Sequence, residues 1–257
     1  MWRGKLTASR LTLLVDIGNS RIKWATDHSG SLAGKGAIEH SQTEVEKALE
    51  EQWGRLNPPQ RMVISNVAGE RVAARVSHYC LAKWAISPRF VTVTSQACGV
   101  QNGYANPQQL GVDRWMALIA AWDRFRSAAC VVDCGTALTI DALSHDGHHL
   151  GGLIAPGLGL MKKALRSGTH ALKDTPSGHL RLLANNTQDA IAAGSFFALS
   201  ALIDSFVKRA QGKLSAPAHT ILTGGDASVL LPSLSTRAVL DTELILHGLA
   251  VVARAGS

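Results

Sequence analysis

The stretch Leu11-Thr-Leu-Leu-Val-Asp-Ile-Gly-Asn-Ser20 decides the fold class of this chain. Its first five residues form a short apolar run with β-branched members, which predicts a buried strand that stops at Asp16. Gly18 predicts a tight turn, after which residues 20–25 return as a second strand. A carboxylate at the end of a buried strand faces the region where ligands of α/β sheets collect. Asp-x-Gly-Asn turns are also ordinary hairpin chemistry, so this stretch alone leaves a plain turn open.

A second stretch, Ala128-Ala-Cys-Val-Val-Asp-Cys-Gly-Thr-Ala-Leu-Thr139, repeats the pattern about one small domain further along the chain. An apolar run again ends at an aspartate, Asp133, and Gly135 again follows two residues later. Residues 137–143 then return as a strand. Two copies of the order strand, Asp-x-Gly turn and strand predict a duplicated α/β fold of two related domains, residues 1–110 and 111–257, with an active-site cleft between them.

The segments between these stretches also alternate between strand and helix patterns. Gly-rich residues 29–36 favour a hairpin, residues 145–149 a turn, and Gly224-Gly225 a close approach to a flat ring such as adenine. Further strands are predicted at residues 61–67, 89–93, 150–154 and 219–223, and helices at 44–53, 71–83, 115–122 and 187–209.

Composition excludes several classes of protein. The 257 residues are 46% hydrophobic and 18% charged, which predicts a sizeable core and argues against wholesale disorder. We expect no transmembrane helix, because no charge-free apolar stretch of about 20 residues occurs, and no secretory signal. The net charge of +7 is scattered without a nucleic-acid-binding module, so we expect no nucleic-acid partner. Four cysteines do not suggest a disulfide framework, and a cytoplasmic enzyme fits best.

The two turns carry the predicted chemistry. Exposed amides beside Gly18, with the side chains of Asn19 and Ser20, suit phosphate oxygens, and Lys23 could add a positive charge. Asp16 contacts phosphate favourably only through a cation, which points to Mg²⁺. Asp133 and Thr136 form a matching acidic and hydroxyl turn, and a facing pair of turns could hold a polyphosphate and its metal. The pair is much more specific than either turn alone.

These residues resemble the phosphate motifs of actin-like ATPases and sugar kinases and, more narrowly, type III pantothenate kinases. The narrower resemblance covers most of the chain, and its blocks occur in that family's order. They are Asp16-Ile-Gly-Asn-Ser20, Gly111-Val-Asp-Arg-Trp115, Asp133-Cys-Gly-Thr-Ala-Leu-Thr-Ile-Asp141, Gly151-Gly-Leu-Ile-Ala-Pro-Gly157 and Asn186-Thr187. The resemblance implies two RNase H-like (actin-like) domains and ATP-dependent phosphorylation of pantothenate to 4′-phosphopantothenate, the first step of coenzyme A synthesis.

The resemblance also implies roles for individual residues. Asp113 matches the family's general base and Arg114 the partner of the pantothenate carboxylate. The implied substrate-binding residues are Tyr104, Gly111, Val112, Asp113, Arg114 and Thr187. The implied ATP-binding residues are Asp16, Ile17, Gly18, Asn19, Ser20, Arg21, Ile22, Lys23 and Thr136. Asp133 matches the ligand of a monovalent cation, K⁺ or NH₄⁺, and the family is homodimeric.

Other interpretations remain beside this one. Asp113 and Arg114 could be a surface ion pair at a helix start, and His145, His148 and His149 are more typical of a solvated hairpin tip than of a metal site. Gly157 and Gly159 indicate a shaped loop more than a dinucleotide site. Another small hydroxylated substrate is possible on the same fold. A nucleotide-binding regulator is the non-enzymatic alternative, and the presence of Asp16, Asp113 and Asp133 favours the enzyme.

Overall fold

The computed structural model describes residues 11–28, 31–40, 45–168, 179–214 and 216–256. In the described residues the chain alternates strands with helices. The strands are β1 Thr12–Ile17, β2 Arg21–His28, β3 Ser31–Glu39, β4 Arg61–Asn66, β5 Arg89–Phe90, β6 Gln96–Ala97, β7 Val100–Gln101, β8 Ala129–Cys134, β9 Ala137–Leu143, β10 His149–Pro156, β11 His219–Thr223 and β12 Val239–Leu240. The helices are α1 Val45–Trp53, α2 Glu70–Trp84, α3 Val112–Phe125, α4 Leu158–Gly168, α5 Thr187–Gln211, α6 Ala227–Leu230 and α7 Leu244–Ala255.

The chain divides into two compact units that are not continuous in sequence. Unit 1 takes the residues up to Thr94, then Gln108–Ala120, and the residues from Ile245 onward. Unit 2 takes Ser95–Pro107 and Ala121–Leu244. The single boundary predicted after residue 110 stays a prediction.

Unit 1 is built on a five-stranded sheet in the order β3-β2-β1-β4-β5. Strands β1, β2 and β3 pair antiparallel, while β4 and β5 add in parallel. One face packs alternate residues of β1 against α1 and α2, with Trp53 in full burial at the centre of an aromatic cluster. Helices α3 and α7 pack closely in the same unit, because Gly248 leaves no side chain beside the Met116 carbonyl.

Unit 2 repeats this topology with the order β10-β9-β8-β11-β12. Strands β8, β9 and β10 pair antiparallel, and β11 and β12 add in parallel. The core lies between the sheet and α5, which buries Phe196, Leu199, Ile203 and Val207. Helix α5 also has the length and hydropathy of a membrane span, a test that core helices pass as well. The identical strand orders confirm the predicted duplication of an α/β unit.

The Gly-rich residues predicted to favour a hairpin supply β3, which pairs antiparallel with β2 in such a hairpin. Most other predicted elements are also present, with two corrections. The segment after Pro156, expected to be a loop, begins helix α4 at Leu158. His149 is not part of a solvated hairpin tip: it begins β10 and is 1% exposed. The first ten residues and the tip of the β2–β3 hairpin lie outside the described residues.

Candidate active site

The first predicted turn joins β1 to β2 in unit 1. Asp16 is buried near the end of β1 and is the register partner of Lys23 on β2 and of Ser65 on β4. The Gly18 amide donates to the Arg21 carbonyl at 2.9 Å, which closes the turn. Asn19, Ser20 and Arg21 are exposed at its tip. The turn therefore leaves polar groups in solvent next to a buried carboxylate, as a phosphate-binding turn requires.

His40 holds this turn from behind and was not predicted from the sequence. Its Nε2 lies 2.8 Å from the Gly18 carbonyl oxygen, and because a carbonyl only accepts, Nε2 is the donor. Its backbone amide donates to the Ser20 carbonyl at 3.2 Å. The two contacts occupy the carbonyls of residues 18 and 20. The Gly18 carbonyl and the Asn19 amide belong to the same planar peptide group, so the Asn19 N–H points away from His40. No motif marks His40, which follows Gly18 by 22 residues.

Asp113 and Arg114 stand in the first turn of α3, in unit 1. Asp113 Oδ1 accepts from the Arg114 amide at 2.8 Å, a contact that suits the positive end of a helix. A Cβ on Gly111 would lie 2.5 Å from that same Oδ1, so glycine at this position makes room for the carboxylate. Arg114 is only 5% exposed, which argues against the alternative of a surface ion pair.

The second predicted turn follows β8 in unit 2 and is enclosed by backbone. The Asp226 amide donates to the Cys134 carbonyl at 2.9 Å, and the Gly157 amide donates to the Thr136 carbonyl at 3.0 Å. Gly224 has φ +93°, and a Cβ there would lie 2.4 Å from Asp133 Oδ1. The late Gly-Gly segment thus packs directly on the acidic turn, while the predicted ATP residue Thr136 is exposed.

Cys130 and Cys134, which have C-x₃-C spacing, are buried free thiols at β8. Burial raises the pKa of Cys130 to about 11. Burial, with the charges of Asp133 and Asp226, raises the pKa of Cys134 to about 12. Burial therefore favours the protonated thiol over the thiolate in both residues. The described residues contain no group of three or more His, Cys, Asp or Glu suited to hold a metal.

Tyr104 and Thr187, the remaining predicted substrate residues, belong to unit 2. The Tyr104 amide donates to Asn102 Oδ1 at 3.0 Å, and the Tyr104 ring stacks on His149 with ring centroids 5.5 Å apart. Thr187 is the exposed first residue of α5. The Asn186 side chain caps that helix by accepting from the Asp189 amide at 2.9 Å.

The predicted residues divide between the two units. Unit 1 holds Asp16 to Lys23 and Gly111 to Arg114, and unit 2 holds Tyr104, Asp133, Thr136 and Thr187. Their oxygen donors suit hard cations: Mg²⁺ commonly takes one or two carboxylates and completes its shell with water and phosphate oxygens. The buried Asp16 carboxylate and the Asp133 carboxylate fit such sites.

Comparison with known proteins identifies the family to which these motifs belong. The sequence profile described as Type III pantothenate kinase matches residues 12–209. A type III pantothenate kinase of Nitrosococcus oceani is 40% identical over 250 residues, covering 95% of this chain and 94% of the relative.

Two solved structures extend the comparison to the fold. A Campylobacter jejuni protein described as a Baf family transcriptional activator is 25% identical, with a TM-score of 0.60, covering 95% of this chain and 98% of that one. A Sinorhizobium meliloti protein described as a 2-dehydro-3-deoxygalactonokinase is 17% identical, with a TM-score of 0.60 and the same coverages. The chain has the fold of the actin-like ATPase and sugar kinase superfamily.

Proposed function

The chain belongs to the type III pantothenate kinase family, and from this premise we propose that it transfers the γ-phosphoryl group of ATP to pantothenate, giving 4′-phosphopantothenate and ADP. The observation that carries this proposal is the 40% identity to a curated family member over 95% of the chain. The two Asp-x-Gly turns that end β1 and β8 support it, because a kinase of this superfamily needs two phosphate-binding turns.

In the proposed reaction Asp113 is the general base. The primary hydroxyl oxygen of pantothenate forms a bond to the γ-phosphorus while the bond from that phosphorus to the β,γ-bridging oxygen breaks, so ADP leaves with the electron pair. The hydroxyl proton passes to the Asp113 carboxylate. An ordinary aspartate is a weak base, but that proton leaves late in phosphoryl transfer, so its main contribution is to orient the nucleophile.

Substrate recognition is proposed for the residues around Asp113 and for unit 2. The planar guanidinium of Arg114 suits the pantothenate carboxylate, which it can meet with two parallel hydrogen bonds. Gly111 and Val112 precede the base in sequence, and Tyr104 and Thr187 of unit 2 are further residues proposed to contact pantothenate. Arg114 directly follows the proposed base in the first turn of α3, which supports this role.

Residues Asp16–Lys23 and Thr136 are proposed to hold the ATP phosphates. Asp16 would hold Mg²⁺ together with phosphate oxygens of ATP. The ion would neutralise charge on the β- and γ-phosphates. Asp133 would hold a monovalent cation, K⁺ or NH₄⁺, beside the second turn. His40 supports the phosphate-binding geometry of the first turn by occupying the Gly18 carbonyl.

We also propose a cytoplasmic homodimer without nucleic-acid or membrane partners. Unit 2 exposes apolar side chains on its edge strand β10, where Leu150 is 53% and Ile154 65% exposed, and on α4 and α5 at Leu160 and Phe197. Large apolar side chains left in solvent on an edge strand are suited to burial against a second subunit. Sedimentation of wild type and Ile154→Lys tests the dimer: the variant should be monomeric, and a monomeric wild type would contradict the proposal.

A regulatory role is the second candidate. It is favoured by one observation, the 25% identity to the Campylobacter jejuni protein described as a transcriptional activator. A regulator would bind nucleotide without turning over pantothenate, so the reaction itself separates the two candidates.

The experiment is product identification by mass spectrometry. Purified protein is incubated with Mg-ATP, potassium and pantothenate, and we expect phosphopantothenate. Asp113→Asn should lower its formation by about a hundredfold or more. Asp123→Asn is the matched control, because Asp123 lies on the same helix and pairs with Arg126 at 3.0 Å. If Asp113→Asn forms as much phosphopantothenate as wild type and Asp123→Asn, the assignment of the base is refuted.

A further inference from the structure

A buried histidine–aspartate pair lies behind the substrate residue Tyr104 and has no role in the reaction described above. His149 Nε2 and Asp141 Oδ1 are 2.8 Å apart, and the two side chains are 0% and 3% exposed. Replacing such a buried pair with apolar residues is often neutral or stabilising, so its presence calls for a reason beyond stability.

Two glycines of β10 adjoin this pair. The register between β9 and β10 shifts between His149 and Gly151, where Gly151 adopts φ +107°. His149 faces the same side of β10 as the other alternate residues that are less exposed, whereas the neighbouring His148 side chain is 47% exposed. Gly152 leaves room for the aspartate, because a Cβ there would lie 2.5 Å from Asp141 Oδ1. The Gly151-Gly152 pair therefore allows the His149–Asp141 contact.

The pair fixes the plane of the His149 ring. His149 Nε2 and Asp141 Oδ1 share one hydrogen bond, and the imidazole ring cannot turn over without losing this bond. In the described part of the chain, the buried His149 Nδ1 has no hydrogen-bond partner. The bond to Asp141 is therefore the polar contact that sets the orientation of the imidazole.

The His149 ring is in turn the surface on which Tyr104 lies. The two ring planes are 25° apart with centroids at 5.5 Å, within the range of favourable aromatic pairs. The backbones also meet, because a Cβ on Gly103 would lie 1.8 Å from the His149 carbonyl oxygen. On its other side the Tyr104 loop is held by Asn102, which donates to the Pro107 carbonyl at 3.3 Å.

We propose that Asp141 and His149 are positioning residues that hold the Tyr104 ring in the orientation in which it receives pantothenate. This inference rests on the proposed function, since Tyr104 is assigned there to the pantothenate pocket. Loss of the support should raise the KM for pantothenate and leave the KM for ATP and kcat nearly unchanged, because a positioning residue for one substrate affects that substrate's binding.

The kinetic test is a double-mutant cycle between His149 and Tyr104. His149→Gln, which loses the stacking ring, should raise the KM for pantothenate about threefold to tenfold. In a Tyr104→Ala background the same change should have almost no further effect, because residues that act through each other are not additive. His148→Gln, the same substitution one residue earlier, should leave both KM values at wild type. Additive effects, or an equal rise in the KM for ATP, would overturn the proposal.

A second readout does not depend on turnover. The chain has only two tyrosines, Tyr79 and Tyr104, so protein made with 3-fluorotyrosine gives two fluorine NMR signals, and Tyr79→Phe assigns them. His149→Gln should shift the Tyr104 signal and leave that of Tyr79 in place. If His149→Gln does not fold, Asp141→Asn replaces it, because an amide keeps the shape of the carboxylate. An unmoved Tyr104 signal in a folded variant would refute the positioning role.

The two readouts separate this inference from the proposed function. If wild type forms no phosphopantothenate, the proposed function fails, and the fluorine signal alone then decides whether His149 positions Tyr104. If wild type turns over pantothenate but the cycle is additive, only the positioning role of His149 and Asp141 fails.

Discussion

Replacing Gly224 with alanine should destabilise unit 2 by about 2 to 5 kcal/mol, because the new methyl group has no space. Gly224 has φ +93°, a conformation that costs a non-glycine residue about 1–2 kcal/mol. The added Cβ would also lie 2.5 Å from the Cys134 carbonyl carbon and oxygen. Backbone atoms cannot yield as a flexible side chain does, so overpacking adds about 1–3 kcal/mol.

The measurement is urea denaturation followed by far-ultraviolet circular dichroism. Gly194→Ala is the matched control, since a Cβ at this position of α5 has nothing within 4 Å. It should stabilise the protein by about 0.5–1 kcal/mol, because alanine is the better helix former. A Gly224→Ala midpoint within error of wild type would refute the reasoning, and so would equal losses in both variants.

Three further predictions follow from the turns and from the start of α5. His40→Ala should raise the KM for ATP and have little effect on the KM for pantothenate. His40→Gln keeps a donor for the Gly18 carbonyl and should restore part of the affinity for ATP. Steady-state kinetics that show no change in either KM would contradict the role of His40 in the first turn. Replacing potassium with sodium should lower kcat through Asp133, and equal rates in the two salts would remove the cation from that site. The His179 amide, with Asn186, lowers the pKa of Asp189 below its usual value. The stabilising contribution of the Asp189 carboxylate is therefore present above about pH 3.9 and is lost as the pH falls through the lower pKa of the folded state. Urea midpoints measured from pH 6 to pH 3 should fall less for Asp189→Asn than for wild type.

The sequence was informative where an apolar run met an acidic turn. Strands β1 and β8 were predicted because each is a short, buried, mainly apolar run that ends near an aspartate and a glycine. The duplicated topology followed from the repetition of that pattern. Helix α5 was predicted within about two residues at each end, since its apolar face is long and Asn186 caps its start.

The sequence does not show where glycine serves packing rather than turning. Gly36 lies in β3 of the predicted hairpin, where a Cβ would be 2.1 Å from the Trp24 ring, so this glycine accommodates a tryptophan. Gly157 precedes α4 and packs against the carbonyls of Gly135 and Thr136, which made a helix start resemble a loop. Whether a position requires glycine for packing depends on its neighbours in space, and these cannot be read from the sequence.

Residues that act through distant contacts were also out of reach. His40 contacts Gly18 and Ser20 across the β2–β3 hairpin, and no motif precedes it. His149 was assigned to a solvated tip because it follows a polar, Gly-containing turn, whereas it begins β10 and its side chain is buried. Helix α7 belongs to unit 1 although it lies at the other end of the chain from β1. Local sequence patterns do not predict which unit such a distant helix joins.

The most direct test of the central claim is ADP release in a coupled assay with Mg-ATP and potassium, with and without pantothenate. A pantothenate kinase should release ADP only when pantothenate is present, in amounts equal to the phosphopantothenate formed. ADP release at the same rate without pantothenate, or none from a folded protein that binds ATP, would contradict the account.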